Sequence, residues 1–325
     1  MTAQLTQDVS LAAEMLRAGR LVAFATETVY GLGASALDEN AVAGIFDAKG
    51  RPRFDPLIVH VADIAMARQY VADWPETASL LAERFWPGPL TMVLPKQPVI
   101  SDLVTSGLPT VGIRLPDHPL ARDLIRQAGV PVAAPSANRF GCISPTIAAH
   151  VAEQLGDRID MILDGGSCRV GVESTILLLT GEAPTVLRLG GITVEELEDA
   201  IGPVRVSTGQ GSEGDQSASP LAPGMLKKHY APHSRLQLCD DVTTLEGGPG
   251  QGLLAFTPPQ NAERFDAVEV LSPEGDLREA AAGFFAALRR LDALNLSTIW
   301  AERFPQKGLG RALNDRLQRA AADDE

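Results

Sequence analysis

Short apolar runs alternate with amphipathic helical patterns along most of this chain, and that alternation restricts it to the α/β class. Asp8 to Ala18 reads as a helix, with Leu11, Met15 and Ala18 on one face and Gly19 as its stop. Leu21 to Ala25 reads as a strand and Asn40 to Ala48 as a helix, with Ala41, Ile45 and Ala48 inward. Pro56 to Ala62 reads as a strand, and Trp74 to Phe85 as a helix ended by Trp86-Pro87-Gly88-Pro89. Further strands are expected at Leu90 to Leu94, Thr110 to Leu115, Val130 to Ala134, Met161 to Asp164 and Ser174 to Leu179, with helices at His118 to Ala128 and Ile147 to Leu155.

The pattern breaks after Val206. Ser207 to Ser219 is rich in Ser, Gly, Gln and acidic residues and has almost nothing to bury, the composition of a flexible linker. Leu221 to Pro232 is denser in Lys, His and Tyr than a spacer requires. Beyond it, strands at Leu236 to Cys239, Gly252 to Phe256, Val268 to Leu271 and Thr298 to Ala301 accompany a helix at Leu277 to Leu291. The expected organisation is a first domain over 1–206, a linker or active-site lid over 207–235, and a smaller Rossmann-like α/β domain over 236–325 with a parallel sheet.

Charge narrows the function. With 28 Lys and Arg against 41 Asp and Glu, the formal charge is −13, which disfavours nonspecific binding to nucleic acid or to anionic membrane. Cys142, Cys168 and Cys239 form no Cys-x-x-Cys pair, and the five histidines form no metal-ligand motif. Met1 to Glu14 carries no signal-peptide pattern, and no stretch is long and apolar enough to span a bilayer. The expected compartment is the cytoplasm.

Against that acidic background, polar clusters at the ends of the expected elements stand out. Thr26, Glu27, Thr28 and Tyr30 follow a strand and run into Gly31-Leu32-Gly33, which reads as a glycine turn. The loose pattern Gly-x-Gly-x-x-Ala over 31–36 also permits a dinucleotide fold, although Asp38-Glu39-Asn40 places the next helix late for one. Lys49 and Arg51 flank Gly50 at a helix end, where cations either complement the helix dipole or hold phosphate. In Leu57 to Val61, alternation puts Leu57, Val59 and Val61 on one face and Ile58 and His60 on the other. Arg114 and Arg188 end strands, Ser136 and Asn138 follow one, and Ser174 opens one. Strand ends are where α/β folds gather ligands.

In order, Thr26-Glu27-Thr28-Val29-Tyr30-Gly31-Leu32-Gly33, Lys49-x-Arg51-Pro52, Pro56-Leu57-Ile58-Val59-His60, Trp86-Pro87-Gly88-Pro89-Leu90-Thr91, Pro135-Ser136-Ala137-Asn138, Ser144-Pro145-Thr146, Gly171-Val172-Glu173-Ser174-Thr175, Ala222-Pro223-Gly224-Met225 and His229-Tyr230-Ala231-Pro232 resemble the YrdC-like family of L-threonylcarbamoyladenylate synthases in its longer form. The resemblance implies a twisted open α/β sheet with a concave basic cavity in the first domain. It implies condensation of L-threonine, bicarbonate or carbon dioxide, and ATP, with Mg2+, into threonylcarbamoyl-AMP and pyrophosphate. A separate tRNA threonylcarbamoyl-transferase complex would take the product, and stable nucleic-acid binding is not expected. Carried over by motif, Thr28, His60, Arg114 and Ser174 would hold threonine. Lys49, Arg51, Asp55, Thr110, Ser136, Asn138, Ser144 and Arg188 would hold ATP, with Lys49 and Arg51 central to turnover. The chain departs from the family pattern at Ala25, where Pro is usual, at Leu189-Gly190, where Pro-Gly is usual, and at Lys227, which stands where an aromatic is usual. Either Lys227 or Tyr230 would then meet the nucleotide.

Overall fold

A computed structural model describes residues 2–207, 221–225 and 228–322. Contacts divide it into two compact units. The first comprises residues up to Phe140, then Pro145–Cys168, then the described residues of 173–225. The second comprises Gly141–Ser144, Arg169–Val172 and the described residues of 226–325. Of the expected linker, 208–220 and 226–227 lie outside the described residues, and Lys227 with them.

The first unit is built on an eleven-stranded sheet. Its strands are β1 (Gln4–Thr6), β2 (Val22–Phe24), β3 (Gly31–Ser35), β4 (Ile58–His60), β5 (Leu90–Pro95), β6 (Thr110–Arg114), β7 (Val132–Ala133), β8 (Met161–Leu163), β9 (Thr175–Leu178), β10 (Thr185–Arg188) and β11 (Arg205–Val206). Their order is β1-β8-β2-β3-β7-β4-β6-β5-β9-β10-β11. The sheet is mixed: β4–β6 and β5–β9 are parallel, while β3–β7, β4–β7 and β5–β6 are antiparallel. Helices α1 (Val9–Arg17), α2 (Glu39–Lys49), α3 (Ile64–Tyr70), α4 (Glu76–Phe85), α5 (Asp102–Thr105), α6 (Pro119–Ala128), α7 (Ala148–Leu155) and α8 (Val194–Ile201) join the strands.

The helix ends follow from local chemistry. Asp8, Asp38 and Asp63 cap α1, α2 and α3 by accepting backbone N–H bonds. Gly50 closes α2 at φ 64°, a left-handed conformation that glycine takes without strain. Leu57, Val59 and Val61 enter the main core while Ile58 packs with Val93, Ile176 and Ala222 on the other face, as the alternation predicts.

One expectation is corrected. Gly31 and Gly33 are not a turn but part of β3, paired with β2 and β7. A Cβ on Gly33 would lie 2.8 Å from Phe24 Cε1 and from Val132 Cγ1, so glycine is there for close packing rather than for turning. The turn lies upstream. Thr26 Oγ1 donates to the Val29 carbonyl at 2.6 Å and accepts from the N–H groups of Thr28 and Val29. Because α2 starts only at Glu39, no helix opens on the glycines, and the dinucleotide reading falls with the turn.

The second unit has a four-stranded parallel sheet of β12 (Arg235–Cys239), β13 (Gly248–Ala255), β14 (Phe265–Val270) and β15 (Thr298–Glu302), ordered β12-β15-β13-β14. Helix α9 (Leu277–Asp292) buries Ala281, Phe284, Leu288 and Leu291, and α10 (Leu309–Ala320) buries Leu313 and Leu317. The early segments are bound into this unit. Ala231 N–H donates to the Gly141 carbonyl at 2.9 Å, and Arg289 donates to the carbonyls of Ile143 and Ser144. Gly171 lies so close to the backbone of Ala281 and Ala282 that a Cβ has no room there.

Candidate active site

In the first unit, register aligns the expected ligand residues in one row. His60 on β4 is opposite Arg114 on β6. Strand β5 follows antiparallel to β6, with Met92 opposite Ile113, so Thr91 continues the row. Thr91 is opposite Ile176 on β9, and Ile176 is opposite Arg188 on β10. Directly opposed residues share a face of a sheet, so His60, Arg114, Thr91 and Arg188 project on the side that carries Ile58, Val93 and Ile176. The register shifts between Val186 and Arg188, an irregularity of the kind that re-aims a side chain.

A cluster of cations gathers around Asp55. Lys49, the last residue of α2, does not lie along its helix end. Its Nζ donates to the carbonyls of Ser136 and Asn138 at 2.6 and 2.5 Å, which removes the simple helix-dipole explanation. Arg51 follows the Gly50 reversal. Its Nε donates to the Asp55 carbonyl at 3.1 Å, and its Nη2 donates to the Pro56 carbonyl at 2.8 Å and meets Asp55 Oδ2 at 2.9 Å. Arg188 donates to the Ser174 carbonyl through Nε and Nη2, to Ser174 Oγ at 3.1 Å and to the Pro223 carbonyl at 3.2 Å. Asp55, 0% exposed, sits among these cations. Burial raises its carboxyl above the usual range, while Arg51, then Lys49 and Arg188, pull it down. Three cations thus act on one buried carboxyl, and positive charge gathered in this way suits an anionic ligand.

The row itself begins with the His60–Arg114 pair. Burial, and then the Arg114 charge, push the His60 imidazole down to about 3, so it is neutral at physiological pH. Arg114 Nη2 donates to Glu27 Oε1 at 2.7 Å, and its Nε to the Gly88 carbonyl at 3.3 Å. The Thr26 hydroxyl proton is committed to the Val29 carbonyl, so Thr28 donates across the 2.8 Å contact to Thr26 Oγ1. Thr91 Oγ1 lies 2.8 Å from Ser174 Oγ, and Ser174 in turn accepts from Arg188. Ser174 thus links Thr91 to Arg188. A narrow groove beside the row is lined by Ile58, Val93, Leu108, Ile176 and Pro223, with Thr91, Thr105 and Thr110.

The structure therefore brings Lys49, Arg51, Asp55, Ser136, Asn138 and Arg188 together, bonds Arg188 to Ser174, and sets His60 opposite Arg114 on neighbouring strands of the same sheet. Thr110 lines the groove, and Thr28 lies on the loop between β2 and β3. Ser144 and Tyr230 belong to the second unit. Ser144 is buried, and the Tyr230 ring packs against Phe285 with the Arg316 guanidinium 5.2 Å from its centroid. Glu27 and Thr91 take part without having been assigned a role from sequence. Both lie inside motifs that sequence singles out, and the missing signal is their burial.

Residues 14–190 match the family model described as telomere recombination, and residues 192–322 match that of the threonylcarbamoyl-AMP synthase C-terminal domain. The threonylcarbamoyl-AMP synthase of Bacillus subtilis is 45% identical over 96% of this chain and 92% of its own length. The chain belongs to the threonylcarbamoyl-AMP synthase family. It has the family's long form with the C-terminal domain. The synthase of Pyrococcus abyssi is 43% identical over 96% of this chain and 94% of its own. A crystal structure of P. abyssi Sua5 complexed with L-threonine superposes with a TM-score of 0.88 at 40% identity, covering 99% of this chain and 98% of that one. Among the described residues, no helix is long and apolar enough to cross a membrane.

Proposed function

We propose that the row from His60 to Arg188 condenses L-threonine, bicarbonate or carbon dioxide, and ATP into threonylcarbamoyl-AMP and pyrophosphate, supplying tRNA threonylcarbamoyladenosine modification. The observation that carries this reading is the convergence of Lys49, Arg51 and Arg188 around Asp55, with His60 and Arg114 opposite each other on neighbouring strands of the same sheet. Similar synthases across nearly the whole chain support it.

The chemistry asks for placement rather than for a protein nucleophile. The threonine amine adds to carbon dioxide to form a carbamate. A carbamate oxygen attacks the α-phosphorus of ATP, the bond to the β-phosphate oxygen breaks, and pyrophosphate leaves. Lys49, Arg51 and Arg188 would neutralise the triphosphate and the leaving pyrophosphate, and holding both anions in one desolvated site supplies the proximity term. Arg114 has the planar fork suited to the threonine carboxylate. Neutral His60, Thr28 and Ser174 would hold the remainder of the amino acid. Ser136 and Asn138, beside Lys49, would meet the nucleotide, as would Thr110. Ser144 and either Lys227 or Tyr230 remain assigned to ATP by resemblance. Mg2+ enters as part of the MgATP substrate, on phosphate oxygens. The reaction is assigned to the cytoplasm, and the product to a separate tRNA threonylcarbamoyl-transferase complex.

Pyrophosphate release tests the reading. It should require ATP, threonine and bicarbonate together. Lys49→Ala and Arg51→Ala should each abolish it while retaining the wild-type circular dichroism spectrum. Release without threonine, or a folded Lys49→Ala with normal turnover, would refute the assignment.

A further inference from the structure

The loop that carries Thr28 also carries Glu27, a carboxylate that the reaction above leaves unused. Glu27 is 1% exposed. Its Oε1 accepts from Arg114 Nη2 at 2.7 Å, whereas its Oε2 is buried with no hydrogen-bond partner among the described residues. A buried carboxylate oxygen without a donor is costly to maintain, and it is a strong acceptor for any N–H that a bound molecule brings.

The neighbouring groups sharpen the chemistry of that molecule. His60 is held neutral. The Cys168 thiol lies in the field of Glu27 and Arg114, and burial pushes it up to about 12, so it is neutral too. Thr28 and Ser174 offer hydroxyls. The ion pair among these residues is the Arg114 guanidinium with the Glu27 carboxylate, in contact at 2.7 Å. An α-amino acid is their mirror image, a carboxylate and an ammonium on one carbon.

We propose that Glu27 is the ammonium-binding residue of the amino-acid pocket, its Oε2 accepting an N–H of the α-ammonium while Arg114, anchored by Oε1, receives the α-carboxylate. This rests on the reading that threonine binds here and deepens it. Glu27 then selects for a free α-amino group, the group that must later become the nucleophile toward carbon dioxide. It also sets the angle of the Arg114 fork.

The test is calorimetric, on the full chain, with two ligands that share a carboxylate and a side chain: L-threonine and 2,3-dihydroxybutanoate, in which a hydroxyl replaces the ammonium. Wild type should bind threonine at least about 30-fold more tightly than the hydroxy acid. Glu27→Gln should lose most of that ratio by weakening threonine, while hydroxy-acid binding changes by no more than about threefold. Glu27→Asp should recover part of the ratio. Equal weakening of both ligands by Glu27→Gln would overturn the ammonium contact and leave Glu27 a mere brace for Arg114. If Glu27→Gln does not fold, the wild-type ratio decides alone, and a ratio near one refutes the proposal. A wild type that binds neither ligand would refute the amino-acid pocket itself, whereas threonine binding without discrimination refutes only the role of Glu27.

Discussion

His60 should make the first unit sensitive to acid by a calculable amount. In the folded protein its imidazole is pushed from 6.5 down to about 3, first by burial and then by Arg114. In the unfolded chain it titrates at the ordinary value. Between those two values the unfolded state binds a proton that the folded state does not, so stability falls as pH falls, with a limiting slope of about 1.4 kcal/mol per pH unit. The contribution is fully present above about 6.5 and lost progressively toward 3. From pH 7 to pH 5 the loss comes to about 2 kcal/mol, which for a unit of this size corresponds to a melting shift of roughly 4–8 °C. Urea unfolding of wild type and His60→Gln at pH 7 and pH 5 measures it. Fluorescence of Trp74 and Trp86, whose rings lie 6.0 Å apart, reports on this unit. The stability difference between the two proteins should change by about 2 kcal/mol over that interval, in the direction that makes the variant less acid-sensitive. A difference that stays constant from pH 7 to pH 5 would refute the claim that the imidazole is buried uncharged.

Gly190 lies against the backbone of Glu173, Ser174 and Thr175, so a Cβ would strike main-chain atoms that no rotamer change can clear. Gly190→Ala should cost about 1–3 kcal/mol in denaturant titrations and raise KM for both ATP and threonine, because Ser174 and Arg188 move together; an effect on one substrate alone would contradict the linkage. Asp55→Asn leaves Arg51, Lys49 and Arg188 without their shared carboxyl. The nucleotide-free variant should lose on the order of 3 kcal/mol, and saturating MgATP should raise its melting temperature by more than it does for wild type, since the triphosphate takes over the compensating charge. Equal shifts in the two proteins would count against that role.

Most of the first sheet was legible because its strands are short apolar runs and its helices carry one apolar face. Strand β3 was not: Gly31-Leu32-Gly33 has the composition of a turn, and only the facing Phe24 and Val132 explain why two glycines belong in a strand. Helix α10 carried a readable period in Leu309, Leu313 and Leu317 but opens at Gly308 with no side-chain cap to announce it. At the site, motif order located the cations and hydroxyls. It did not show that Lys49 reaches two carbonyls beyond β7, or that Ser174 bridges Thr91 and Arg188. Such pairings join residues far apart in the chain, and only strand register brings them opposite one another. Glu27 illustrates the remaining gap, since sequence gives its charge but neither its burial nor the lack, among the described residues, of a donor to its Oε2.

The way the second unit gathers its parts bears on how this architecture can be divided. Its sheet and helices come from the end of the chain, but Gly141–Ser144 and Arg169–Val172 reach it from far upstream, one fastened by Arg289 and the other pressed onto α9. No single cut therefore frees it. A fragment beginning after Met225 would lose the carbonyls that Arg289 holds, and a fragment ending there would carry two stubs with nothing to grip. Engineers seeking a shortened enzyme would have to rewrite those two excursions as well as delete the tail.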